Sequence, residues 1–202
     1  MSSGKKAVLL VILILIADQV LKIWVKTHMQ IGDEIHLLGK RGMLHFIENN
    51  GMAFGMEMGG KTGKVILSLF RIVAICGIGW FLFSIIKKNA NPGLILAVSA
   101  ILAGAIGNII DCAFYGLIFS ESYNQTAVLF PAGGGYSTFL LGKVVDMLYF
   151  PVITTHWPDW SPIRPGETFI FFRPVFNIAD SAITCGVISV IIFQKSMFKN
   201  LN

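Results

Sequence analysis

Four long apolar stretches organise the chain, roughly Ala7–Val25, Val65–Ile86, Gly93–Phe119 and Pro174–Phe193. Each approaches the ~20 residues that a helix needs to cross ~30 Å of hydrocarbon. Backbone groups cannot go unpaired in lipid, so the pattern predicts four transmembrane helices. The short turn Lys87-Lys88-Asn89-Ala90-Asn91-Pro92 makes the second and third helices antiparallel neighbours. Two longer connections, about 26–64 and 120–172, remain. The first mixes Ile31, Ile35, Leu37, Leu38, Leu44, Phe46 and Ile47 with polar residues and glycines, which suits short strands on the membrane surface. The second carries Trp157 and Trp160 among prolines, and tryptophans suit the interfacial belt. The expectation is a single all-α membrane domain over 1–202 with a small β-like loop region.

Composition strengthens this reading: 54% of the residues are apolar, 13% are charged, and mean hydropathy is +0.71. A net charge of +5 raises nucleic-acid binding as a question. The basic residues answer it, because they flank the spans instead of forming a face with interleaved aromatics. Lys5 and Lys6 precede the first span, Lys87 and Lys88 lie between the second and third, and Lys195 and Lys199 follow the fourth. The positive-inside rule then puts both termini and the 87–92 turn in the cytoplasm, with the two long loops outside. The first span has a signal-peptide layout, but Asp18-Gln19 stands where cleavage needs small residues, so it reads as a retained helix. Cys76, Cys112 and Cys185 fall within spans and read as packed thiols.

A charge in mid-span costs roughly 2.5–3.5 kcal/mol on insertion scales, so each one needs a partner or a task. Asp18 and Lys22, spaced i,i+4, read as a structural ion pair with Lys22 snorkelling outward. Arg71 in the second span reads as structural or lipid-binding. Gly104, Asn108 and Asp111 form one stripe of the third helix, where the glycine permits close packing and Asp111 calls for a cation or several donors. Arg173-Pro174 marks the start of the fourth helix, with Asn177 and Asp180 on one face within its first two turns. Asp146 lies in an apolar part of the outer loop that can dip to the same depth.

Two carboxylates at close range cannot both ionise, so one keeps its proton near neutral pH while the other stays charged. Such a pair supplies an acid and a base for water attack on a peptide carbonyl. Ion or proton translocation through Asp18, Asp111, Asp146 and Asp180 uses the same residue types, as does simple packing or a non-catalytic assembly role. Zinc peptidase chemistry is disfavoured: His28, His36, His45 and His156 lie outside the spans and no His-Glu-x-x-His occurs. No Gly-x-Ser-x-Gly elbow or phosphate-binding glycine loop is present either. No metal and no cofactor is expected.

Five ordered motifs carry a family resemblance: Asp18-Gln19-x-x-Lys22, Asn49-Asn50-Gly51-Met52-Ala53-Phe54-Gly55, Gly104 through Asp111, Gly142-Lys143-Val144-Val145-Asp146, and Phe176-Asn177-Ile178-Ala179-Asp180. Together they resemble lipoprotein signal peptidase, signal peptidase II, over nearly the whole chain. The resemblance implies an aspartic endopeptidase of the bacterial inner membrane, multi-pass, with its active site facing the outer leaflet. It would remove the signal peptide of diacylglyceryl-modified prolipoproteins, cutting before the lipidated cysteine. By matching motif, Asp146 and Asp180 take the catalytic positions. Asn108, Asp111 and Asn177 support them, Asn49 and Gly51 line the site, and Asp18 and Lys22 form the structural pair. The implied partners are the lipid-modified substrate, membrane lipids and cyclic-peptide antibiotics such as globomycin.

Three features depart from the family pattern. Cys112 stands where an arginine usually follows the third-helix Asp, and Arg173 is the candidate to replace it. Asp111 and Asp146 are separated by an insertion, and Gly116-Leu117-Ile118-Phe119-Ser120 mimics the Gly-x-Val-x-Asp motif with Ser120 in the acid's place. Asp146 is therefore assigned to the pair. Lastly, a long stretch, Met147–Pro174, precedes the fourth-helix motif; both additions fall in the outer loop, where length costs little.

Overall fold

The computed structural model describes residues 1–50, 60–162 and 164–199. Among the described residues, four segments are long and apolar enough to span a membrane. They are α1 (Ser3–His28), α2 (Gly60–Lys87), the continuous stretch Pro92–Ile118, and α5 (Ile178–Met197). The third span consists of α3 (Pro92–Ile110), one π-helical turn (Asp111–Tyr115) and a last turn α4 (Gly116–Ile118). These segments match the four apolar stretches read from the sequence, with longer ends at α1 and α2. The termini of α1 and α5 share one end of the bundle with the α2–α3 turn, where Ala7, Ile85, Ala90, Leu94 and Met197 form a buried cluster.

The third span is central: α3 packs against α1, α2 and α5. Its contact with α5 requires glycine, because a Cβ on Gly104 would stand 2.2 Å from the Ala179 carbonyl oxygen. Close approach of this kind lets dispersion and polar contacts hold helices that lipid does not drive together. The outward faces carry Leu13, Val73, Trp80, Phe83 and Ile192, all exposed, as side chains against lipid tails should be.

At the opposite end a four-stranded antiparallel sheet caps the bundle in the order β1 (Glu34–His36), β2 (Met43–Asn49), β3 (Val144–Tyr149), β6 (Val175–Phe176). β4 (Ile153–His156) and β5 (Thr168–Phe171) pair as a separate hairpin. The strands expected in the first loop are present. Asp146, expected in a dipping loop, instead sits on the buried strand β3. The start of the last helix also differs from expectation. Pro174 precedes β6, and α5 begins at Ile178 with Asn177 as its N-cap. A proline suits the first helical turn, but the Asn177 side chain satisfies the free N–H groups more directly, so the helix starts there.

The insertion between Ile118 and Gly142 completes the end of the third span. Phe130 N–H donates to Ile118 O at 2.7 Å, Tyr136 N–H to Phe119 O at 2.9 Å and Ser137 N–H to Gly116 O at 2.8 Å. Terminal helix carbonyls have no intrahelical partners, and these bonds supply them. Ser120, the acid-position mimic, closes this loop: its N–H donates to Val128 O at 3.0 Å and its Oγ accepts from Val128 N–H at 2.9 Å.

Candidate active site

Asp180 occupies the third position of α5 in a capping box with Asn177: Asp180 N–H donates to Asn177 Oδ1 at 2.9 Å, and Asn177 N–H to Asp180 Oδ2 at 3.4 Å. This reciprocal pair fixes both rotamers at a helix N-terminus, where the macrodipole favours negative charge. Asn177 Nδ2 then reaches across to Asp146 Oδ1 at 2.7 Å and Asn108 Oδ1 at 3.1 Å. Asn108 Nδ2 donates to Asp180 Oδ1 at 2.7 Å. Two asparagines therefore tie the two carboxylates into one network, at the junction of α3, α5 and β3. Asn49, at the end of β2, donates to Asp146 Oδ2 at 3.4 Å.

Asp146 is 3% exposed. Burial, and then the nearby negative charge of Asp180, push its carboxyl up to about 7. The two acids are thus close enough to interact, and Asp146 exchanges its proton in the neutral range.

Beneath the pair lies a compact ionic cluster. Lys22 is fully buried and does not snorkel outward, contrary to expectation. Its Nζ lies 2.8 Å from Asp18 Oδ2, 2.8 Å from Asp111 Oδ2 and 3.0 Å from Asn108 Oδ1. The cation that Asp111 required is therefore Lys22. Gln19 Nε2 donates to Asp111 Oδ1 at 3.0 Å, and Tyr115 Oη donates to Gln19 Oε1 at 3.1 Å. Asp18 Oδ1 accepts the Ala179 N–H at 2.9 Å, an orphan donor of the first turn of α5.

Asp111 also anchors the strand that carries Asp146. The π turn starts at Asp111, and such turns free backbone carbonyls for other partners. Gly142 N–H donates to Cys112 O at 2.8 Å, and Val145 N–H donates to Asp111 Oδ2 at 3.2 Å. Gly142 is required here, because a Cβ would lie 2.2 Å from Asp111 O. The guanidinium that reaches residue 112 comes from Arg71, whose Nη1 lies 3.5 Å from Cys112 Sγ, while Arg173 is exposed.

A second ionic cluster escaped the sequence reading. Lys26 is buried against Glu48 and donates to Ser122 Oγ at 2.7 Å; Lys143 Nζ bonds Glu48 Oε2 at 3.0 Å and Glu121 Oε1 at 2.8 Å. Burial pushes the Glu48 carboxyl up, but Lys26 and Lys143 outweigh it and hold it below its usual range. Burial pushes the Lys143 ammonium down, and its bonds to Glu121 and Glu48 reverse the sign. The available signal was the stripe Asp18, Lys22, Lys26 at i, i+4, i+8 on one helix face. Gly51, named for the site, lies outside the described residues, as do Met52 to Gly55 of the same motif. Among the described residues no cluster of His, Cys, Asp and Glu has metal-binding geometry.

The model of signal peptidase (SPase) II matches residues 10–196. The chain belongs to the signal peptidase II family. It is 50% identical over 190 residues to a lipoprotein signal peptidase of Porphyromonas gingivalis, covering 94% of this chain and 82% of that one. A lipoprotein signal peptidase of Amoebophilus asiaticus is 38% identical over 92% of this chain and 75% of its own length. The fold is similar to a bacterial membrane enzyme solved by the in meso method at 1.9 Å, with TM-score 0.58 and 27% identity over 93% of this chain and 91% of that one. Membership of signal peptidase II makes the chain a protease of a bacterial membrane, which decides against the ion-relay and assembly readings.

Proposed function

We propose that the chain is an aspartic endopeptidase that releases the signal peptide of diacylglyceryl-modified prolipoproteins, cutting before the lipidated cysteine, with Asp146 and Asp180 as its catalytic pair. The observation that carries this reading is the hydrogen-bonded chain Asp146–Asn177–Asn108–Asp180, in which the coupled acids share one site. In this mechanism Asp180, at the N-terminus of α5, acts as the base and Asp146 as the acid. Asp180 takes a proton from the attacking water while Asp146 gives its proton to the scissile carbonyl oxygen, forming a neutral gem-diol. Collapse returns the diol proton to Asp146, and the proton on Asp180 passes to the leaving amine of the lipidated cysteine. The C–N bond breaks and both acids return to their starting states.

The buried cluster of Lys22, Asp18, Asp111 and Gln19 holds α1, α3 and α5 in fixed register, so Asn108 and the N-terminus of α5 are preorganised. The lipid anchor sets the depth of the scissile bond, and the acids lie at the sheet-bearing end of the spans. With the lysine-flanked end in the cytoplasm, the site faces the outer leaflet of the inner membrane. Cyclic-peptide antibiotics such as globomycin would compete for this site. The test is to incubate the purified protein with a diacylglyceryl-modified prolipoprotein and weigh the products. A product beginning at the lipidated cysteine supports the reading; an intact substrate, or a cut elsewhere, refutes it.

A further inference from the structure

The second ionic cluster lies behind the strands that present the candidate pair. In the β2–β3 register Ile47 stands opposite Asp146, Glu48 opposite Val145 and Asn49 opposite Val144. Side chains alternate between the two faces of a strand, so Asn49 and Asp146 share one face while Glu48 and Val145 share the other. On the first face Asn49 Nδ2 reaches Asp146 Oδ2 at 3.4 Å, a diagonal contact between neighbouring strands. On the second face the Glu48 carboxylate is a hub. Lys26 pairs with its Oε1, Ser122 Oγ donates to the same oxygen at 2.9 Å, and Lys143 Nζ bonds Oε2 at 3.0 Å.

Three separate parts of the chain meet at that carboxylate. Lys26 comes from the last turns of α1, Ser122 from the insertion, and Lys143 from the residue leading into β3. The insertion also roofs the cluster: Ala127 N–H donates to Lys26 O at 3.0 Å, and the Phe119 and Tyr136 rings lie 5.4 and 5.0 Å from Lys26 Nζ. The side chains of Lys26 and Glu48 are 1% and 2% exposed. A buried ion pair adds little stability over apolar side chains of the same volume, because lost hydration roughly offsets the attraction. What the charges supply is direction, since Glu48 is satisfied only where all three donors reach it. The bond from Asn49 to Asp146 is already long, so a shift of a few tenths of an ångström in β2 breaks it.

We propose that Glu48 is a positioning residue of the peptidase: it grips the back of β2, joins it to the entry of β3, and so aligns Asn49 on Asp146. The insertion serves the reaction by completing that grip. The inference rests on the peptidase reading. The test is a double-mutant cycle of Glu48→Gln and Asn49→Ala on turnover of a diacylglyceryl-modified prolipoprotein in detergent, below the Tm of every variant. Glu48→Gln should lower kcat roughly ten-fold and leave KM within about two-fold of wild type. Asn49→Ala should lower kcat to a similar extent. The double variant should stay near the ten-fold loss, because residues that act as one unit do not lose the same rate twice. Ile85→Ala, in the buried cluster at the other end of the bundle, should lower Tm and leave kcat unchanged.

Losses that multiply to about a hundred-fold, a loss carried by KM, or a Glu48→Gln kcat within two-fold of wild type overturns the proposal. Where Glu48→Gln does not fold, Lys26→Met combined with Glu48→Met removes both buried charges at once. That variant should keep a Tm close to wild type and still lose kcat roughly ten-fold; full turnover by it overturns the proposal as well. Absence of turnover by wild type refutes the peptidase reading and this inference with it, whereas multiplied losses in an active enzyme refute this inference alone.

Discussion

Replacing Lys22 with methionine tests the ionic cluster under the catalytic pair. Methionine keeps the length of the side chain and deletes the charge that contacts Asp18, Asp111 and Asn108 at 2.8, 2.8 and 3.0 Å. Asp18 and Asp111 are 1% and 0% exposed, so no water replaces the lost cation. Breaking a buried ion pair by removing one partner costs about 3–5 kcal/mol. For a protein of this size each kcal/mol moves Tm by about 2–4 °C, so Lys22→Met should lower Tm by roughly 6–20 °C. The assay is thermal unfolding in detergent followed by intrinsic fluorescence. Adding Asp18→Asn restores the cluster's original net charge and should recover a substantial part of the loss. A Tm for Lys22→Met within about 2 °C of wild type would refute the reasoning, because it would mean that the carboxylates are neutral or hydrated.

Other outcomes follow from the same geometry. Gly142→Ala forces a Cβ to 2.2 Å from Asp111 O and should cut activity more than about ten-fold by displacing β3, whereas Gly133→Ala, with nothing within 4 Å, should be neutral in activity and Tm. Asp146 must be protonated to act and its carboxyl lies at about 7, so kcat/KM should fall roughly ten-fold per pH unit above that value. The sign for stability is the same: the folded state binds this proton more tightly than the unfolded state, so Asp146's contribution declines as pH rises from about 4 toward 7, readable as a Tm trend that Asp146→Asn abolishes. Glu48→Gln leaves buried Lys26 without its carboxylate and should destabilise by about 3 kcal/mol in the same unfolding assay.

The spans were legible because lipid imposes a length and a composition that few other structures share. Motif order favours Asp146 over Ser120, and the structure joins Asp146 to Asn177 while Ser120 closes the insertion loop. Partners across helices were harder to read. The contact of Lys22 with Asp111 depends on how closely α1 and α3 pack, which Gly107 decides: a Cβ there would lie 2.8 Å from Asp18 Oδ2. Arg71 reaches Cys112 across 41 residues, a separation that no local periodicity encodes. The start of α5 was misplaced because Pro174 and Asn177 are both good start signals, and β6 pairing with β3 selects the second.

The most direct test of the central claim is turnover of a diacylglyceryl-modified prolipoprotein by Asp146→Asn and Asp180→Asn, each purified and shown by its unfolding curve to be folded. Asparagine keeps the shape and removes the ability to exchange a proton, so both variants should fall to the uncatalysed rate. Near-wild-type turnover by either folded variant would contradict the assignment of the pair.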